Sequence, residues 1–317
     1  MPFRVICTSP ECLRLREFNP ADAGQRIACD HCGTEMHLPN GNRLQGLVLD
    51  DFALISELGV GAMARVYKGL DLVKDRHVAV KVFYPELAAD TVMLRRFERE
   101  AHLALELKHP NIVAGYAAGQ AHDQTYIAME YMDGESTRER LKRKGRLSPD
   151  DAIAIVASAA EALAYARRFG IVHRDVKPAN ILTNSRGEVK LADMGMVRLE
   201  DSKTLLTCSD YTTGTPLYMA PEHARDPSTA DLRSDIYSLG ISLLFMLTGK
   251  HPFKRSSLFK VLQAHEEDPL PCGVDLGVEL PPELDDLAQK MAAKNPDDRF
   301  QNYASLSAAL RAVHAAL

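Results

Sequence analysis

No stretch of this 317-residue chain stays apolar for the ~18–20 residues that a membrane span needs. The most apolar helix-like segment, Ala152 to Ala166, is broken by Ser158 and Glu161. The N-terminus, Met1-Pro2-Phe3-Arg4, lacks the apolar core of a signal peptide. A cytoplasmic protein with no membrane segment is therefore expected. Positive charge is not in excess: 38 Lys and Arg against 43 Asp and Glu give a net charge of −5. That removes the general electrostatic reason to expect nucleic acid or an anionic membrane as a partner. The dense basic run of Arg138, Arg140, Lys142, Arg143 and Lys144 has no aromatics interleaved for base stacking, so it reads as a solvated helix face. Cysteine is sparse, at six residues.

What is present fits a soluble globular protein: 46% hydrophobic and 26% charged residues, with length for about two domains of ~150 residues. Four of the cysteines crowd the start, as Cys7 and Cys12 in a CxxxxC and Cys29 and Cys32 in a CxxC closed by Gly33. In a cytosolic chain such pairs suggest metal more than disulfides. Four thiolates suit tetrahedral Zn²⁺. The sixteen residues between the pairs have room for a hairpin. A segment of about forty residues buries little core, so a metal would supply the missing stability. Residues 3 to 39 resemble a zinc ribbon, with the CxxxxC a departure from the usual CxxC. His31 and His37 are spare ligand candidates, expected to be exposed. Cys208 and Cys272 stand alone as plain thiols.

The most informative stretch is Ile171 to Asn180. It holds a carboxylate at Asp175, a cation at Lys177 and an amide at Asn180. Phosphoryl transfer uses such a set: an acid to orient the attacking hydroxyl, a cation against the moving charge, an amide oxygen for Mg²⁺. His173-Arg174-Asp175-Val176-Lys177-Pro178-Ala179-Asn180 resembles the catalytic loop of serine/threonine protein kinases. Other parts of that family's pattern follow in order. Leu58-Gly59-Val60-Gly61-Ala62-Met63-Ala64-Arg65-Val66 resembles the glycine-rich loop, with Ala64 in place of the third glycine. Val78-Ala79-Val80-Lys81 is an apolar strand with one lysine, which the resemblance assigns to the α- and β-phosphates. The helical pattern from Thr91 to Leu107 carries Glu100, which fits the glutamate that pairs with that lysine. Glu98 competes, but Leu107 to Val113 sets the register for Glu100. Met129 matches the gatekeeper, and Glu130-Tyr131-Met132 the hinge against adenine.

Further on, Ser148-Pro149-Asp150-Asp151 starts a helix with an N-cap, a proline and first-turn acids. Asp193-Met194-Gly195 stands where the family has Asp-Phe-Gly, so Asp193 is expected to chelate Mg²⁺. Tyr211 to Glu222 resembles the end of an activation segment. By the same resemblance Asp235 braces the catalytic loop, and Arg299 pairs with Glu222.

Residues 51 to about 315 thus resemble bacterial Hanks-type serine/threonine protein kinases. The resemblance implies an α+β, bilobal fold preceded by a small zinc ribbon. The expected organisation is a ribbon at 1–40, a linker at 41–50 and a kinase domain at 51–317, divided into small lobe 51–132 and large lobe 133–317. Ribbon and kinase are expected to have separate cores. The implied catalytic set is Asp175, Lys177, Lys81 and Glu100. ATP contacts fall on Leu58, Gly59, Gly61, Ala64, Val66, Ala79, Lys81, Met129, Glu130, Met132, Asn180, Leu182 and Asp193. Mg²⁺ or Mn²⁺ falls to Asn180 and Asp193. Substrates are proteins with Ser or Thr acceptors. Arg174 suggests activation by phosphate on Thr212 or Thr213, placed there by a second copy through self-association; Thr207 and Ser209 are also within reach. The alternatives are a pseudokinase or scaffold whose ribbon binds a protein or nucleic acid, and a small-molecule phosphotransferase. The complete catalytic set opposes the first, and the Gly214-Thr215-Pro216 to Glu222 segment opposes the second.

Overall fold

The computed structural model describes residues 2–40, 43–193 and 215–317. They form two compact units: Met1–Leu107 with Ala114–Tyr131, and Lys108–Val113 with Met132–Leu317.

The first unit begins with two hairpins. Strand β1 (Phe3–Ile6) pairs antiparallel with β2 (Leu15–Phe18), and β3 (Arg26–Ala28) with β4 (Glu35–His37). Each cysteine pair sits in a turn, one at the tip of each hairpin. The sixteen residues between the pairs therefore do not close on themselves; they hold β2, a short helical turn at Pro20–Asp22 and β3.

A six-stranded antiparallel sheet follows, in the order β5-β6-β7-β8-β10-β9. Its strands are β5 (Val48–Leu49), β6 (Phe52–Val60), β7 (Ala64–Asp71), β8 (Arg76–Phe83), β9 (Gly115–Ala121) and β10 (Gln124–Glu130). Helix α1 (Thr91–Glu106) is capped by Asp90, whose carboxylate accepts from the amides of Val92 and Met93 at 3.0 and 3.1 Å. Gly115 lets β9 approach α1 closely, since a Cβ there would lie 2.6 Å from the Ala104 carbonyl.

Side chains alternate across a strand, and this sheet is covered on both faces. Ala64, Phe83 and Ile127 pack with Phe97 and Ala101 of α1. The opposite face, carrying Val78, Val80, Val82, Tyr67 and Tyr126, packs with Phe3, Val5 and Leu38 of the hairpins. The expectation of separate cores is therefore corrected. The N-terminal hairpins and the sheet share one cluster, because hairpins of this size have too little apolar surface to enclose a core of their own. From residue 43 on, the stretch read as linker is also folded: Leu44, Leu47, Val48 and Leu49 are buried and β5 joins the sheet. The Ile6 amide donates to Gly46 O at 2.8 Å, and the Gly46 amide to Leu54 O at 2.6 Å.

In the second unit, β11 (Gly134–Ser136), β12 (Ile181–Asn184) and β13 (Val189–Leu191) form a small antiparallel sheet. The helices are α2 (Thr137–Lys144), α3 (Pro149–Arg167), α4 (Pro221–Arg225), α5 (Leu232–Thr248), α6 (Leu258–Glu267), α7 (Pro282–Met291) and α8 (Tyr303–Ala316). Ser148 caps α3 by accepting from the Asp151 amide at 3.2 Å. Helix α5 is apolar nearly all round and buried along its length, as a central helix must be. Gly249, at φ 70°, closes it. α3 packs on α5 and α8, and α5 on α7.

Candidate active site and metal centre

The loop between α3 and β12 brings three of the expected residues together. Lys177 Nζ lies 2.7 Å from Asp175 Oδ2. Asn180 Nδ2 donates to Asp175 O at 2.9 Å and to its Oδ2 at 3.2 Å. Both bonds use the nitrogen, so Oδ1 is the amide atom available to a hard cation.

The loop is held from below. Asp235, buried in the first turn of α5, accepts from the His173 amide at 2.9 Å and the Arg174 amide at 2.8 Å. Burial holds its carboxyl above the ordinary range, against the opposing pull of His173 and the two amides. Arg174 adopts φ 65°, a costly conformation for a non-glycine residue that the two Asp235 bonds help to fix. His173 is fully buried, with Nε2 3.2 Å from Ala192 O, and the Ala192 amide donates to Asn180 O at 2.8 Å. The end of β13 is thereby tied to the loop. Asp193 follows it, exposed and at φ 57°. Tyr303, whose hydroxyl reaches Asp235 at 3.4 Å, was not legible as part of this brace. A lone aromatic in a helix carries no signal for it.

In the first unit, Lys81 Nζ lies 2.5 Å from Glu100 Oε1, and both residues are buried. Pairing is what makes a lysine tolerable inside an apolar strand. Glu98, the competing candidate, is exposed. The glycine-rich stretch is the β6–β7 hairpin, where the Gly61 amide donates to Ala64 O at 2.9 Å. The Ala64 methyl is buried beside Phe83, Phe97 and Ile127, so the departure from glycine adds packing. Leu58 is exposed, Gly59 has open space around it, and Val66 and Ala79 are half-buried. Met129 packs beside the same cluster as Ala64, and Glu130 Oε2 accepts from the Ala114 amide at 3.2 Å. In the second unit Met132 is buried and Leu182 half-buried. Met194, Thr207, Cys208, Ser209, Thr212 and Thr213 lie outside the described residues.

Residues 52–310 match the protein kinase domain family. The chain belongs to that family. It is 42% identical over 271 residues to the serine/threonine-protein kinase PknB of Mycolicibacterium smegmatis, covering 84% of this chain and 43% of that protein. It is 35% identical over 271 residues to the serine/threonine-protein kinase PrkC of Bacillus subtilis, covering 86% of this chain and 41% of that one. The chain thus spans less than half the length of these relatives. The kinase domain of Mycobacterium tuberculosis PknI superposes with a TM-score of 0.66 at 30% identity, covering 86% of this chain and 99% of that one. Among the described residues no helix is long and apolar enough to cross a membrane.

The four N-terminal cysteines precede the kinase match. Their sulfurs lie within 4.8 Å of one another. Cys7 and Cys32 are 3.6 Å apart, Cys12 and Cys29 3.7 Å. A tetrahedron with metal–sulfur bonds of ~2.3 Å has edges of ~3.8 Å, so the spacing fits a four-thiolate site. Thr34 holds the Cys32 thiol down at about 6, through its hydroxyl and its backbone, which favours the ligating thiolate. Burial pushes the Cys7 thiol up to about 12, a cost that a bound cation would reverse. His31 is exposed, His37 is half-buried near Glu35, and neither joins the cluster.

Proposed function

We propose that this chain is an ATP-dependent protein serine/threonine kinase. The observation that carries the reading is the Asp175 carboxylate held against Lys177 and Asn180 in a loop braced by Asp235. Asp175 orients the acceptor hydroxyl and takes its proton. Lys177 offsets charge on the transferring phosphoryl group. Lys81, held by Glu100, positions the nucleotide phosphates. The hairpin that carries Gly59 and Gly61 is the one the family resemblance lays over those phosphates, and the same resemblance assigns Leu58, Val66, Ala79, Met129, Glu130, Met132 and Leu182 to the base. Mg²⁺ or Mn²⁺, held by Asn180 Oδ1 and Asp193, would neutralise developing phosphate charge. Positioning and electrostatics supply most of the rate.

Zinc held by Cys7, Cys12, Cys29 and Cys32 completes the reading, with about one ion per chain. Control through Thr212 or Thr213, phosphorylated by a second copy, follows from Arg174 standing beside Asp175. The test is incubation of purified protein with ATP and Mg²⁺, with phosphosites mapped by mass spectrometry. New phosphate on Ser or Thr of the chain or of a generic acceptor supports the assignment. Nucleotide binding with no phosphate transfer to any protein would replace it with a scaffold.

A further inference from the structure

The small-lobe sheet has two apolar faces and two covers. On β8, Lys81 and Phe83 face the α1 side, where Glu100 and Phe97 meet them. Val78, Val80 and Val82 face the other way and share a cluster with Phe3, Val5 and Leu38. On β10, Ile127 packs on the α1 side while Tyr126 and Ala128 join the ribbon side. The ribbon, together with Leu44 and Leu47, is therefore the second cover of the sheet that carries Lys81.

The cysteines stand next in sequence to the residues that dock the ribbon on the sheet. Cys7 follows β1 directly, and β1 delivers Phe3 and Val5. Cys29 and Cys32 occupy the turn that closes β3 on β4, and Leu38 follows β4 directly. The ribbon's own buried cluster is small, built from Cys7, Cys29 and Met36 with Cys12 and Ile27 against it. Without a cation, that cluster is too small to hold two short hairpins in register. Polar contacts run the same way: Arg4 donates to Asp50 O, and the Asp50 carboxylate accepts from Tyr126 OH at 2.6 Å.

We propose that metal occupancy of the four-thiolate cluster is a control input to the kinase. With zinc bound, the ribbon clamps the sheet face opposite α1. Without it, β1 and Leu38 leave that face, and the strand carrying Lys81 loses part of the packing on that side. The signal read is the availability of a thiophilic divalent cation. This rests on the zinc reading above.

The experiment follows amide hydrogen exchange of the full chain, peptide by peptide, with bound zinc measured on the same samples. Chelation of zinc-replete protein should speed exchange about tenfold or more in β6, β8 and β10 as well as in residues 3–38, and restored zinc should reverse it. Helices α3 and α5, in the other unit, are the internal control and should not change. Acceleration confined to residues 3–38 would overturn the proposal while leaving the zinc site standing. Replete protein that holds no zinc would instead remove the zinc reading itself. A Val5→Ala, Leu38→Ala variant separates clamp from metal, because all four thiols remain. It should keep its zinc and still exchange faster in β8 and β10; unchanged sheet exchange there would also overturn the proposal.

Discussion

Arg299 grips both carboxylate oxygens of Glu222, at 2.7 Å through Nη1 and 2.9 Å through Nη2, with its own side chain wholly out of solvent. Its other N–H groups donate to the carbonyls of Ala293, Arg233 and Lys294. Burial pushes the Glu222 carboxyl up, but the Arg299 bond and charge outweigh it and leave it below the ordinary range. Breaking such a pair strands a buried charge. Glu222→Ala should therefore cost about 3–5 kcal/mol in urea unfolding of the chain. Adding Arg299→Met should recover part of that loss, because the stranded cation is gone. A double variant as unstable as the sum of the singles would show that the two residues do not act as a pair.

Asp175→Asn preserves shape and removes the proton acceptor. General-base loss typically costs ~10²–10⁴-fold in rate. The variant should phosphorylate a generic acceptor that much more slowly, with its thermal midpoint little changed. Phosphorylation at the wild-type rate would refute the role given to Asp175.

Much of the site was legible because phosphoryl transfer demands residue types at fixed spacing. Asp175, Lys177 and Asn180 are close in sequence and meet in one short loop, so their spacing nearly dictates their contact. Glu100 needed only the register of a helix, which buries it and exposes Glu98. The docking of the N-terminal hairpins was not legible. Phe3, Val5 and Leu38 look like the inward residues of any small hairpin, and nothing in their alternation says that the surface they meet is another element's sheet. The glycine and asparagine of residues 40–46 spoke for a linker and hid β5, a strand of two residues with almost no periodicity to read. Ala64 shows in the sequence only as a replacement for the third glycine of the loop; its packing against α1 depends on a contact far away in sequence.

Under the proposed control, Arg174 would connect the catalytic loop to activation. Its amide is fixed by Asp235, and it directly precedes Asp175. A phosphate on Thr212 or Thr213 would offer its guanidinium a bidentate, charge-assisted partner. Wild type should gain activity on pre-incubation with ATP, and a Thr212→Ala, Thr213→Ala variant should not. Arg174→Ala should reproduce the loss, and combining the changes should add nothing. Full activation of the double-alanine variant would remove both threonines from the account.

Acid should weaken the second unit through its histidines. Burial pushes His251 and His265 down to about 3, and burial with the nearby Arg174 charge pushes His223 down to about 4. His265 faces Tyr237 OH at 2.8 Å and Leu217 O at 3.0 Å, with His251 and Lys294 close by. His251 also lies near Lys254, and His223 near Glu222. In the folded chain these rings stay neutral well below the pH at which an unfolded histidine, near 6.5, takes up its proton. Between about 6.5 and 4 the unfolded state therefore binds more protons, and stability falls as pH falls, by about 1.4 kcal/mol per pH unit for each ring. From pH 7 to pH 5.5 the three together should cost about 4 kcal/mol, before most carboxylates titrate. Glutamine at position 265 keeps the hydrogen-bonding capacity without the titration. His265→Gln should start somewhat less stable at pH 7 and lose about a third less on acidification, read as the shift in urea midpoint between the two pH values. A midpoint shift identical to wild type would mean that His265 is already charged in the fold, or that acid acts elsewhere.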